Sequence, residues 1–363
     1  MMQCSICWHE CACITALFRL RFGLMSNDQG KAKLDDVARV AGVSLATASR
    51  ALSTPHLLKP ATLIRVRDAA RMLGYMPHGA ARALASRRTH TIGAVIPTLD
   101  NAIFANSTQA MQRELGEHGY QLLLGSHEYD PGREVEVTRA LLERGVDGLV
   151  LVGTDHSPEL YQLLIGFRSP YVLTWSLDDS GHHHCVGFNN REVGARVAQY
   201  LYNLGHREFA VISGFTAHND RARDRITGVR EALITRGIEL GTQRVVETSF
   251  SIQSGRQALL AVLQFVPRPS AVICGNDILG QGAMIEAHAL GIAIPQSISI
   301  TGVDDMELSA HMSPGLTTVR IPTAEIGRRT AQHILARVHG ENTEKRTELA
   351  VELVVRGSTA PAP

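Results

Sequence analysis

From Thr91 onward, short apolar runs alternate with amphipathic helical segments, and this alternation limits the chain to a few folds. TIGAVIP at 91–97, Tyr120 to Gly125, Asp147 to Val152 and YVLT at 171–174 read as strands. Phe104 to His118 and residues 133–144 read as helices between them. A second series follows, with helices over 191–204, 224–236, 254–265 and 277–290. Its strands fall at 208–214, near Arg244 to Glu247, at 271–275 and at 297–305. Strand–helix alternation means crossover units and parallel sheets covered on both faces. Two series predict two similar α/β lobes. The last segment returns across the hinge between them as strand 316–322, helix 323–339 and strand 348–355.

A different pattern precedes the lobes. Leu34, Val37, Ala38 and Ala41 recur at helical spacing, and Gly42 can take the positive φ of a tight turn. Ser44 is a good N-cap for a second helix. In that helix Ala48 and Leu52 face inward, while Leu45, Ala46, Ser49 and Arg50 point outward. This is the layout of a helix-turn-helix, whose second helix enters the major groove of DNA. A third helix follows, with Pro60 in its first turn, Leu63, Val66 and Leu73 as the inner stripe and Gly74 beyond its end.

The net charge of +1 hides an asymmetry. Residues 31–88 hold 11 Lys/Arg and 3 Asp/Glu, a net of +8; residues 89–363 hold 23 and 30, a net of −7; residues 1–30 sum to zero. A basic head on an acidic body points to a polyanionic partner for the head alone. A solvated basic face would give the same count, so charge by itself does not decide.

The motif running from Asp36-Val37-Ala38 through Ala41-Gly42-Val43-Ser44 to Thr47-Ala48-Ser49-Arg50 resembles the head of the Lac repressor family. The resemblance extends over residues 33–363. It is carried by Val146-Asp147-Gly148-Leu149, Leu204-Gly205-His206-Arg207, Asn276-Asp277, Gly302-Val303-Asp304-Asp305 and Leu316-Thr317-Thr318-Val319-Arg320. It implies a helix-turn-helix domain at 31–76, a hinge helix at 77–88 and, at 89–363, a two-lobed core like that of periplasmic binding proteins. It further implies a cytoplasmic homodimer that binds a palindromic operator and answers to a small sugar or sugar acid. The expected DNA contacts are Ser44, Leu45, Ala46, Thr47, Ser49 and Arg50, with Arg82 on phosphate and Leu84 as a minor-groove wedge. Two positions depart from the family pattern. Lys59 stands where a capping Ser is usual, and Ala85 where a basic residue is usual.

Ligands of such cores lie beyond the carboxyl ends of strands. That rule selects Asn101 and Phe104, Trp175 and Ser176, Asn189, and Asn276 with Asp277. The resemblance adds Arg225, for hydroxyls or a carboxylate, and Phe250, as an aromatic lid. Each has a plainer role open to it. Arg225 could pair with Asp224, Asp277 could cap a helix, Phe250 and Trp175 could be core, and Asn101 could sit in a turn. The run Val186-Gly187-Phe188-Asn189-Asn190 looks closest to the gluconate-repressor branch, which makes a sugar acid the first expectation for the effector.

Residues 1–24 fit a signal peptide poorly, because Arg19 and Arg21 follow the apolar run. The segment reads as a disordered leader over 1–30, or as sequence upstream of a start at Met25. Cys4, Cys7, His9, Cys11 and Cys13 are too cramped for a usual structural zinc site. Cys185 and Cys274 read as buried thiols, and His182, His183 and His184 as a solvated loop. No cofactor is expected. An enzyme is disfavoured: no dinucleotide or nucleophile-elbow motif occurs, and Gln281 stands where a phosphate loop after Gly275 would need lysine. A solute-binding protein is the remaining alternative, but it would need an export signal and would have no use for residues 34–86.

Overall fold

The computed structural model describes residues 32–54, 57–76 and 88–363. The expectations for the leader, and for the hinge residues Arg82 and Leu84, lie outside those residues. The described chain falls into a helical head and a larger body.

The head has three helices: α1 (Leu34–Ala41), α2 (Leu45–Ser53) and α3 (Pro60–Met72). Gly42 closes α1 at φ 64°, where a side chain would be strained. Ser44 then caps α2, its hydroxyl accepting from the Thr47 N–H at 3.2 Å. Val37, Ala38, Ala41, Ala48, Ala51, Val66 and Ala69 meet in one small core. α3 begins with Pro60 and has no side-chain cap at Lys59; Gly74 follows its end at φ 60°.

The body holds two six-stranded sheets. In the first lobe the strands are β1 (Thr91–Ile96), β2 (Gln121–Ser126), β3 (Gly148–Val152), β4 (Tyr171–Thr174), β5 (Cys185–Gly187) and β11 (Arg346–Glu348). Their order is β11-β5-β4-β3-β1-β2, all parallel. The second lobe has β6 (Phe209–Gly214), β7 (Val245–Thr248), β8 (Ala271–Cys274), β9 (Ser299–Asp304), β10 (Thr317–Arg320) and β12 (Glu352–Val354). They run β12-β10-β9-β8-β6-β7, and only β12 is antiparallel to its neighbour.

The crossover helices are α4 (Ala102–Glu117), α5 (Pro131–Glu143) and α6 (Pro158–Phe167) in the first lobe. In the second they are α7 (Asn190–Asn203), α8 (Asp220–Ile234), α9 (Ile252–Val262) and α10 (Asp277–Ala289), with the short α11 (Glu307–His311). The chain passes between lobes after β5 and after β10. The second passage leads into α12 (Thr323–Val338), which packs on α4 of the first lobe. At the end, the single strand expected over 348–355 is two strands. β11 joins the first sheet, Val351 is buried at the passage, and β12 joins the second sheet.

Candidate functional site

The exposed face of α2 carries the first set of candidates. Ser44, Leu45, Ala46, Ser49 and Arg50 are exposed and Thr47 is half-buried, while Ala48 and Ala51 anchor the helix. Leu45 leaves 49% of its surface in solvent, an unusual exposure for leucine on a packed helix. The Ser44 and Thr47 hydroxyls lie 2.9 Å apart at the helix start. The head thus displays short polar side chains, one apolar tip and an exposed Arg50 on a capped helix, the furnishing of a groove-reading helix.

The second set converges on a cavity between the lobes of the body. Its walls include Asn101, Phe104, Trp175, Arg225, Phe250 and Asn276, six of the nine expected effector residues. Phe104 packs edge-on to Trp175, with ring centroids 5.0 Å apart. Trp175 leaves β4 at φ 71°, an uncommon conformation for an aromatic residue. Phe250 lies against Gly214 so closely that a β-carbon there would meet its ring at 1.9 Å. Asn101 and Asn276 each cap a helix as well, accepting from the Ile103 and Leu279 N–H groups.

Ser176, Asn189 and Asp277 are not in the cavity wall. Asn189 caps α7, accepting from the Glu192 N–H at 3.1 Å. Ser176 is buried, with its backbone against Gly187. Asp277 turns inward, where the Ser309 and Thr318 hydroxyls and the Met306 N–H donate to it. Burial pushes its carboxyl up to about 6 against those three bonds. It therefore ties α10 to β10 and the loop before α11, and its neighbour Asn276 does the capping.

Arg225 is not paired with Asp224, whose carboxylate faces Arg191 at 3.5 Å. Its Nε donates to Asn190 Oδ1 at 3.0 Å and its Nη1 to the Gly275 carbonyl at 2.6 Å. Asp304 also lines the cavity, 4% exposed at φ 117°, with neither carboxylate oxygen hydrogen-bonded among the described residues. Burial holds its carboxyl well above the ordinary range despite the opposing pull of Arg225.

Sequence reasoning missed Tyr129, Arg221 and Asp304, all of which line the cavity. Asp304 closes strand β9, so the strand-end rule could have found it. Arg221 was hidden because α8 begins at Asp220, about one turn before the expected start at 224. The early turn also carries a clasp between lobes. The Thr154 N–H and hydroxyl donate to Asp220 Oδ2 at 2.8 and 2.9 Å. Arg221 Nη1 reaches Asp220 Oδ1 and the Val152 carbonyl, and Arg223 reaches Asp155 at 2.8 Å. Burial alone would raise the Asp220 carboxyl, but Arg221 and the Thr154 bonds hold it below its usual value.

The histidine run is not uniformly solvated. His182 is exposed, whereas His183 meets the Tyr171 hydroxyl at 2.6 Å and His184 meets His333 at 3.0 Å. Cys185 and Cys274 are buried free thiols, as expected. Among the described residues no helix is long and apolar enough to cross a membrane.

Residues 33–78 match the bacterial regulatory proteins of the lacI family, and residues 198–359 match a periplasmic binding protein-like domain. The chain is 32% identical to the HTH-type transcriptional regulator GntR of Pseudomonas aeruginosa, over 91% of this chain and 96% of that one. It is 30% identical to the HTH-type transcriptional repressor PurR of Pectobacterium carotovorum, over 92% of this chain and 98% of that one. A solved complex of the transcriptional regulator CelR with cellobiose is similar at a TM-score of 0.68 and 30% identity, covering 90% of this chain and 99% of that one.

Proposed function

The chain belongs to the LacI family of DNA-binding transcription regulators, and from that premise we propose that it is a cytoplasmic repressor whose interlobe cavity takes a sugar acid such as gluconate. Family membership removes the solute-binding protein and the enzyme as alternatives. Two copies set their α2 helices in successive major grooves of a palindromic operator. Leu45, Ala46 and Arg50 touch bases there, and Ser44, Thr47 and Ser49 touch mainly phosphates. Arg82 and Leu84 serve the hinge.

One observation carries the effector reading. Arg225 enters the cavity fixed by two neutral acceptors, and the Asp304 carboxyl in the same lining has no hydrogen-bond partner among the described residues. A guanidinium held this way suits a carboxylate, and an unpartnered buried carboxyl suits hydroxyl groups. Phe104, Trp175 and Phe250 cover the apolar side of a carbon chain. A ligand that binds the native state raises its melting temperature by mass action. Thermal melts of the full chain with gluconate, other sugar acids and the matching neutral sugars test this. A sugar acid is expected to raise the melting point, and Arg225→Ala to abolish the rise. Stabilisation by a neutral sugar with none from any acid would overturn the reading.

A further inference from the structure

We infer that Asn190 is a positioning residue for the effector cavity, one side-chain amide that sets both the Arg225 guanidinium and the Trp175 backbone. This rests on the cavity being the effector site and concerns what makes it selective. Asn189 takes the capping duty of α7, so Asn190, the first helical residue, has its side chain free for another task. That side chain is buried. Its Oδ1 accepts from Arg225 Nε at 3.0 Å, and its Nδ2 donates to the Trp175 carbonyl at 3.0 Å.

Both partners fix which way the amide points. A guanidinium can only donate and a carbonyl can only accept, so the residue between them needs one acceptor and one donor at short reach. Asparagine supplies both. Aspartate would set a second oxygen against the Trp175 carbonyl, and an apolar residue would leave both groups unsatisfied. The geometry is forced further by the crossing of α7 and α8. A β-carbon on Gly194 would lie 2.0 Å from the Arg225 carbonyl oxygen, and one on Gly228 would lie 1.9 Å from that of Arg191. The two helices touch backbone to backbone, which brings position 190 within reach of position 225.

The electrostatic consequence concerns ligand charge. Arg221 is paired with Asp220 at 2.7 Å. Arg225 is held by an amide and a carbonyl, and among the described residues it forms no ion pair within 4.0 Å. Asp304 is its acidic neighbour in the cavity lining, but burial holds that carboxyl toward its neutral form, so the Arg225 charge is oriented without an ion pair, which favours an anionic ligand over a neutral polyol of the same length.

The test uses the full chain with gluconate and its neutral counterpart glucitol as probes. Hydrogen exchange of the Arg225 Nε–H, followed by NMR on arginine-labelled protein and assigned with Arg225→Lys, needs no ligand. Asn190→Ala is expected to speed that exchange and to lower gluconate affinity by roughly tenfold or more, the usual worth of a hydrogen bond to a charged group. Glucitol affinity should change far less. Asn190→Asp should keep the Nε–H protected yet bind gluconate more weakly than Asn190→Ala, because the new carboxylate neutralises Arg225. Unchanged exchange in Asn190→Ala, or equal losses for both probes, would overturn the inference. If the wild-type protein ignores gluconate, the sugar-acid reading fails, and the exchange rates alone then decide the role of Asn190.

Discussion

His333 shows how much a single buried side chain can say about conditions. It shares its ring nitrogen with His184 at 3.0 Å and with the Thr343 hydroxyl at 3.1 Å. Burial, then the neighbouring His184 and Arg337, pushes it down to about 4. The unfolded chain binds a proton there below about 6.5, and the folded chain does not. The stability tied to this site is complete above the unfolded value and is lost as pH falls from about 6.5 toward 4. Melting temperatures measured across that window should fall more steeply for the wild type than for His333→Gln; parallel profiles would contradict the assignment. Asp277, raised to about 6, works in the opposite sense and costs stability as pH rises from its ordinary value through 6. Residues whose role is local were legible in the sequence: Ser44 caps, and Arg50 points outward, because both follow from helical spacing alone. Tyr129 was not legible, since it reaches the cavity from a loop at φ 62° that no periodicity marks.

At the scale of elements, the crossing of α7 and α8 does the most to shape the cavity. Gly194→Ala would drive a methyl into the Arg225 backbone, and with no flexible atom to give way, the helices must part. Overpacking of this kind costs about 1–3 kcal/mol. The expected result is a lower melting temperature together with weaker effector binding, whereas Gly116→Ala, which meets nothing within 4 Å, should leave both nearly unchanged. A Gly194→Ala protein with wild-type stability and ligand affinity would mean the crossing is looser than described. The alternation of strands and helices was readable because parallel sheets demand continuous apolar runs. Two features were not. The run Glu348 to Val355 has one uniform pattern but serves two sheets, and the first turn of α8 is polar because it faces the other lobe instead of a core.

For the whole molecule, we take ligand binding between the lobes and DNA binding by the head to be two linked equilibria in one chain. Asp220, Arg221 and Arg223 hold the second lobe to residues 152–155 of the first. A ligand changes DNA affinity only by as much as it favours one arrangement of the lobes over the other. The head must then be a sequence reader in its own right, and the net charge of +8 over residues 31–88 also gives salt-dependent attraction to any duplex. Selection of the full chain on a pool of random duplex DNA, followed by sequencing, addresses this directly. Enrichment of one palindromic motif is expected, with Arg50→Ala relaxing the preference at a single position in each half. A pool that stays unenriched at low salt, or an identical motif from Arg50→Ala, would contradict it.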